Sequence, residues 1–270
     1  MERSAEKPLP DNFRDFAFCH DQKIADLAQL VSTVDEYWGV DNRYLSSYLR
    51  ATYVRAAQVW NKADDVAACP EGLLFDDDKA LFNTGLFTDS FEVVYLLFES
   101  NQKPDACQPW FLKGCFKESD RALDAFPSLP GRVHYGDEPA DLIFDYRLEI
   151  RLNYDHVLRD EENVKRLPER LRGEESFALL RSAFEGAVDV ARRRAAANYT
   201  VAVPQFYNGR LQLLLPLCLI GEEPDLALAI ERVNGHYAAR TCLDMEMAYC
   251  NARVICRPEA SWICRAGFTV

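Results

Sequence analysis

The sequence predicts an α+β fold: an N-terminal helical pair, a mixed but largely antiparallel sheet, and one long helix packed on it. Three observations carry that prediction. Apolar residues recur at helical spacing between Asp21 and Tyr53, the stretch from Asp145 to His156 alternates strictly between polar and apolar residues, and two Asn-Gly pairs punctuate a β-rich C-terminal third. With 270 residues, 49% of them hydrophobic, the chain has ample material for a core. A single globular domain over residues 13–270 is expected, after a flexible lead-in, residues 1–12, that carries Pro8 and Pro10.

In the N-terminal region Ile24, Leu27, Ala28, Val31 and Val34 share one helical face behind Asp21 as N-cap. After Gly39 the spacing repeats in Tyr44, Leu45, Tyr48, Leu49, Thr52 and Tyr53 behind Asp41, and an aromatic stripe at this spacing reads as core. Residues 63–80 read as a turn-rich link in which Cys69-Pro70-Glu71-Gly72 precedes a short strand, Leu73 to Phe75, and a solvated acidic run, Asp76 to Asp78. Asn83-Thr84-Gly85 reads as a chain-reversing turn with Gly85 at positive φ. Amides in such a turn can also hold an anion, which makes Asn83 and Thr84 candidate ligand contacts. Trp110 to Phe116 reads as a strand, and Pro127, Pro130 and Gly131 mark a loop.

The alternating stretch organises the middle of the chain. Tyr146, Leu148, Ile150, Leu152, Tyr154 and His156 fall on one face, and Asp145, Arg147, Glu149, Arg151, Asn153 and Asp155 on the other, which predicts a central, half-buried strand. A charged connection with Pro168 and Gly173 follows. The clearest helix comes next, with Phe177, Leu180, Phe184, Val188 and Ala191 along one face. Glu174 and Glu175 at its start and Arg192, Arg193 and Arg194 in its last turns match the helix dipole.

Two hairpins are expected beyond it. Asn208-Gly209 sets Tyr207 opposite Arg210 and Gln205 opposite Gln212 on one face, all four being candidate ligand contacts, while Phe206, Leu211 and Leu213 face a core. Pro204 removes a ladder donor and makes this an edge or bulged strand. Asn234-Gly235 joins Asp225 to Val233 with His236 to Met247, which sets Asp225 across from Asp244 with Glu246 two residues further on. Opposed carboxylates repel one another. Relief comes from a cation such as Mg²⁺ held by Asp225, Asp244 and Glu246, from a shared proton, from Arg240 or Arg253, or from a bulge that shifts the register. Residues 247–255 continue as strand or turn into a short helix.

A net charge of −12 argues against a surface dominated by phosphate-backbone contacts, though it leaves room for a local basic cleft. Eight of the 31 basic residues are Lys, and an Arg bias favours bidentate pairing with carboxylate or phosphate. The nine cysteines are scattered and odd in number with no CxxC spacing, so free thiols are expected rather than disulfides or a zinc site. The longest apolar run, Leu213 to Ile220, is too short to cross a bilayer, and MERSAEKPLPDN has no signal-peptide core. A cytoplasmic chain with no membrane partner is the expectation.

Several of these segments carry a family likeness. FNTGL (Phe82 to Leu86), DYRLEIRLNYDHVL (Asp145 to Leu158), RLP (Arg166 to Pro168), VPQFY (Val203 to Tyr207), LLLPLCL (Leu213 to Leu219), DLALAI (Asp225 to Ile230) and MAYCNARVI together resemble domain-of-unknown-function family 3825 along most of the chain. Where the family pattern reads DMAYNNAR, this chain has Glu246 for the acid and Cys250 for one Asn. Asn251 and Arg253 of the same motif are candidate ligand contacts. Relatives are often joined to LOTUS-type RNA-binding modules or cold-shock-like domains, so the resemblance implies an RNA connection without an established activity.

Three functions follow in order. The first is an RNA- or nucleotide-directed domain acting as a phosphodiesterase or nuclease, with His156 as general acid or base, Arg147 and Arg151 stabilising phosphate charge, and Asp155 or Asn153 orienting the ring or ligand. Its bland counterpart is a buried histidine beside a cross-strand salt network. The second is a noncatalytic module that binds a nucleotide or a protein partner. The third is a metal-dependent hydrolase using Asp225, Asp244 and Glu246.

Overall fold

The computed structural model describes residues 8–31, 36, 38–63, 71–103, 105–136, 138–172 and 177–264. The α+β class holds: the chain forms two compact units, Met1–His134 and Tyr135–Val270, each built on its own five-stranded sheet.

The first unit opens with helix α1 (Phe13–Phe16), a two-residue strand β1 (Ala17–Phe18) and the helical pair α2 (Asp21–Leu30) and α3 (Arg43–Lys62). Strands β2 (Leu73–Asp76), β3 (Lys79–Phe87), β4 (Val93–Ser100) and β5 (Trp110–Lys117) follow, and the sheet order is β1-β5-β4-β3-β2. Adjacent strands are antiparallel except β1, which runs parallel to β5. Rings of Phe13, Phe16 and Tyr53 meet Phe82 and Phe98 of the sheet, with the Phe16 and Tyr53 centroids 4.9 Å apart, so the aromatic stripe is indeed core.

Local chemistry shifts several boundaries. His20 rather than Asp21 caps α2, its side chain accepting from the Gln22 amide, and Asn42 rather than Asp41 precedes α3. The described part of the lead-in is tied down rather than loose. Leu9 is buried and exchanges two hydrogen bonds with the Asn61 side chain, and the Tyr53 hydroxyl donates to the Pro10 carbonyl. The acidic run is an exposed tight turn between β2 and β3, with Asp77 at φ 41°. Val34, Cys69, Pro70, Gly173, Glu174 and Glu175 lie outside the described residues.

Asn83-Thr84-Gly85 does not reverse the chain. It is a bulge inside β3: Asn83 pairs with Tyr95 and Leu86 with Val94, which leaves Thr84 and Gly85 as extra residues. Gly85 has the expected positive φ, 69°. The turn-like composition marks the bulge because the Asn83 and Thr84 side-chain oxygens accept from the Gly85 and Leu86 amides in place of the missing ladder bonds.

In the second unit come β6 (Ile150–Arg151), helices α4 (Tyr154–Arg159), α5 (Glu161–Arg166) and α6 (Phe177–Ala197), then β7 (Val203–Tyr207), β8 (Arg210–Leu217), β9 (Leu226–Val233), β10 (His236–Leu243), α7 (Met245–Ile255) and α8 (Ser261–Cys264). The sheet order is β6-β10-β9-β8-β7, so the Pro204 strand is an edge, as its composition predicts. Alternation buries both faces. Leu213, Leu215, Leu228 and Ile230 pack with Leu180, Phe184 and Val188 of α6, while Leu214, Ala227 and Ala229 pack with Ala248, Tyr249 and Ala252 of α7. Residues 247–255 are therefore helical.

Two expectations fail here for identifiable reasons. The stretch from Asp145 to His156 is not a central strand. Only Ile150–Arg151 pairs, at the sheet edge and parallel to β10. The Asp145 carboxylate accepts from the Arg147 amide and guanidinium, and Asn153 caps α4 by accepting from the His156 amide, so local side-chain bonds bend the ends of the stretch away from extension. Tyr146, expected on the buried face, is 51% exposed. In the second hairpin the pairing runs from His236 with Val233 to Ala239 with Ile230, then resumes at Thr241 with Ala229. Arg240 is a bulge, so Leu243 meets Ala227 and the two acids never oppose one another.

Candidate functional site

The site begins with the β7–β8 turn. Asn208 and Gly209 both take positive φ, 48° and 76°, the geometry that matches the twist of a two-residue hairpin. It fixes the predicted register, Tyr207 with Arg210 and Gln205 with Gln212. Period two then places Val203, Gln205 and Tyr207 on the α7 face together with Arg210, Gln212 and Leu214. Val203 and Leu214 pack in the core under α7, while Tyr207 stands 49% exposed.

Between them lies a buried amide relay. Gln205 and Gln212 are 1% and 7% exposed. Asn251 Nδ2 of α7 donates to Gln205 Oε1 at 3.1 Å, and Gln205 Nε2 donates to Gln212 Oε1 at 2.7 Å. Among the described residues, Gln212 Nε2 and Asn251 Oδ1 have no protein partner, and neither is sealed from solvent. The relay thus ends in one open donor and one open acceptor. Arg253 of the same helix is buried as well.

Next to the relay, two guanidinium groups share one carboxylate. Arg210 lies 3.3 Å from Glu231 Oε1, and Arg240 Nε donates to Glu231 Oε2 at 2.7 Å. Two cations on one anion leave one excess positive charge within this trio. Sequence reading named Arg240 only as relief for opposed acids and missed Glu231. Its signal was the period-two position of Glu231 in β9, on the same face as Ala227 and Ala229.

The other candidates do not converge in this way. His156 is exposed on α4, and its imidazole has no protein partner among the described residues. Arg147 holds Asp145, Arg151 holds Glu149, and Arg159 holds Asp155, each as a local surface pair. Hydrogen bonding from Arg147 holds the Asp145 carboxyl down to about 2. Asp225 accepts from the Leu219 and Ile220 amides, and Asp244 caps α7 by accepting from the Met247 amide. No group of three His, Cys, Asp or Glu side chains that could hold a metal ion occurs among the described residues. Asn83 and Thr84 are buried in the bulge, with their side chains bonded to backbone.

The described cysteines are free thiols. Burial pushes Cys19, Cys115 and Cys242 each up to about 12, which keeps them protonated and poor as nucleophiles. No helix of the described residues is long and apolar enough to cross a membrane.

A family model described as Domain of unknown function (DUF3825) matches residues 31–262. No curated protein and no solved structure matches the chain.

Proposed function

The chain belongs to the family described as Domain of unknown function (DUF3825), and from that premise we propose that it is a noncatalytic module binding single-stranded RNA or a nucleotide on the hairpin face of β7 and β8. The observation that carries this reading is the open-ended amide relay beside an exposed aromatic and a shared-charge Arg pair. A base stacks on the Tyr207 ring. Arg210 turns from Glu231 to a phosphate while Arg240 keeps the carboxylate neutralised. Gln212 offers a donor and Asn251 an acceptor to a polar base edge, which distinguishes bases where stacking alone does not.

Binding is favoured over phosphodiester hydrolysis because each Arg that would assist His156 is already held by its own acidic neighbour. With a net charge of −12, affinity rests on stacking and hydrogen bonds more than on counterion release. One or two phosphate contacts give a shallow salt dependence, with a slope of about −0.7 per phosphate for a single strand.

The test is fluorescence anisotropy of a labelled mixed-sequence RNA, single-stranded and as a duplex. Tyr207→Ala is expected to weaken single-strand binding about tenfold, since one stacked base contributes about 1–3 kcal/mol. Unchanged binding in that variant, or equal binding of the duplex, overturns the reading. RNA turnover that disappears in His156→Ala would replace it with chemistry at α4, and its dependence on Mg²⁺ would say whether a metal takes part.

A further inference from the structure

The first unit holds a separate cleft, on the sheet face opposite its aromatic core. Leu81, Tyr95 and Leu97 on this face pack against Leu123 and Phe126 of the segment after β5. Beside them the β3 bulge and the Leu129–Arg132 segment enclose about 430 Å³, lined among others by Phe87, Val93, Tyr95, Glu118, Leu129 and Arg132. That volume lies in the range of small-molecule sites. The bulge helps to make the room. A Cβ on Gly85 would sit 2.9 Å from Arg132 Nε, so the missing side chain lets the guanidinium stem lie against the strand.

Tyr95 supplies the independent sign of a ligand. The residue is 4% exposed, yet its hydroxyl has no hydrogen-bond partner among the described residues and is not sealed from solvent. A buried side chain that leaves its hydroxyl unpaired at a cleft wall is set to bond something in the cleft. Burial, and then the charge of Glu118, raise its pKa above the usual phenol value, so the hydroxyl stays a donor. Exposed Glu118 adds an acceptor, Arg132 a cation, and Phe87, Val93 and Leu129 apolar walls. A ligand that uses all of them carries a flat apolar ring, an anionic end and hydroxyl groups.

We propose that this cleft binds a nucleoside monophosphate, with the phosphate at Arg132, the base between Phe87 and Leu129, and the ribose hydroxyls at Tyr95 and Glu118. The site is distinct from the hairpin face and stands without it.

Isothermal titration calorimetry of the full chain with AMP, CMP, GMP, UMP, adenosine and inorganic phosphate tests it. At least one monophosphate binds about tenfold more tightly than its nucleoside or phosphate alone, the worth of a charge-assisted hydrogen bond. Arg132→Gln abolishes that preference. Tyr95→Phe, which removes one oxygen atom and keeps the packing, weakens binding about three- to tenfold. The same titration in Tyr207→Ala removes any share of the binding that belongs to the hairpin face, and the binding that remains keeps its dependence on Arg132 and Tyr95. The proposal is overturned if no monophosphate binds at millimolar concentration, if phosphate alone binds equally well, or if Arg132→Gln and Tyr95→Phe have no effect. Loss of all binding in Tyr207→Ala overturns it too, by moving the ligand to the hairpin face.

Discussion

The bulge of β3 and the amide relay of β7 both bury polar side chains within a sheet, and they differ in where their hydrogen bonds end. In the bulge every bond closes on backbone. Asn83 donates to the Pro130 carbonyl and accepts from the Gly85 amide, Thr84 donates to the Val94 carbonyl and accepts from the Leu86 amide, and the Tyr48 hydroxyl donates to the Thr84 carbonyl. In the relay the bonds run from side chain to side chain and stop at Gln212 Nε2 and Asn251 Oδ1. A closed set fixes the shape of the chain. An open set keeps bonding capacity for something else. Polar residues of the same kind therefore have different consequences when removed, stability in the first region and binding in the second.

The largest effect expected is in the closed set. Asn83→Ala leaves the Gly85 amide and the Pro130 carbonyl without partners, and at about 1–3 kcal/mol for each buried unpaired group the loss of stability is about 3 kcal/mol. Urea unfolding measures it. A loss under about 1 kcal/mol would mean that water replaces the amide and that the bulge is not closed. Gly85→Ala comes next, at about 2 kcal/mol, because the residue sits at φ 69° and its new methyl would lie 3.0 Å from the Tyr48 hydroxyl.

In the open set the balance reverses. Tyr207→Ala is expected to change stability by less than about 0.5 kcal/mol, as for an ordinary surface substitution, while it weakens RNA binding. If its unfolding shift instead matches that of Asn83→Ala, Tyr207 is a packing residue and the distinction between the regions collapses.

The contrast also shows what the sequence made legible. The β7–β8 register could be read because Asn208-Gly209 allows one tight turn and the pairing follows from it without interruption. The β9–β10 register was read from an equally good turn, and it slipped by one residue because nothing in the local composition marks Arg240 as a bulge. Asn83-Thr84-Gly85 announced an irregular backbone but not its kind, since the same residues make turns and bulges. The Asp145–His156 alternation was the least faithful guide. Period two states which residues are alike, while extension needs a paired neighbour, and here Asp145 and Asn153 had nearer backbone groups to bond. Of the candidate site, the Gln205 and Gln212 pair was legible from register, whereas their link to Asn251 depends on how α7 lies across the sheet.

The smallest effect belongs to that charged stretch, and it sharpens the comparison from outside. The side chain of Arg147 bonds Asp145 through Nε and a terminal nitrogen, both at 2.7 Å, and holds its carboxyl down to about 2, against about 3.9 for an unperturbed Asp. Because the folded value is the lower one, the pair contributes to stability above pH 4 and loses that contribution as the pH falls through 2. The Arg147 side chain is largely exposed, so solvent screens the pair and the change in stability is small. The titration itself is the measurement. The Asp145 carboxyl followed by NMR should show its midpoint near 2 and should return toward the ordinary range in Arg147→Ala. A midpoint already near 4 in the unmodified protein would mean that Arg147 is not held by Asp145. It would then be free to meet phosphate, and the charged stretch would take over from the hairpin face as the place to look for nucleic acid.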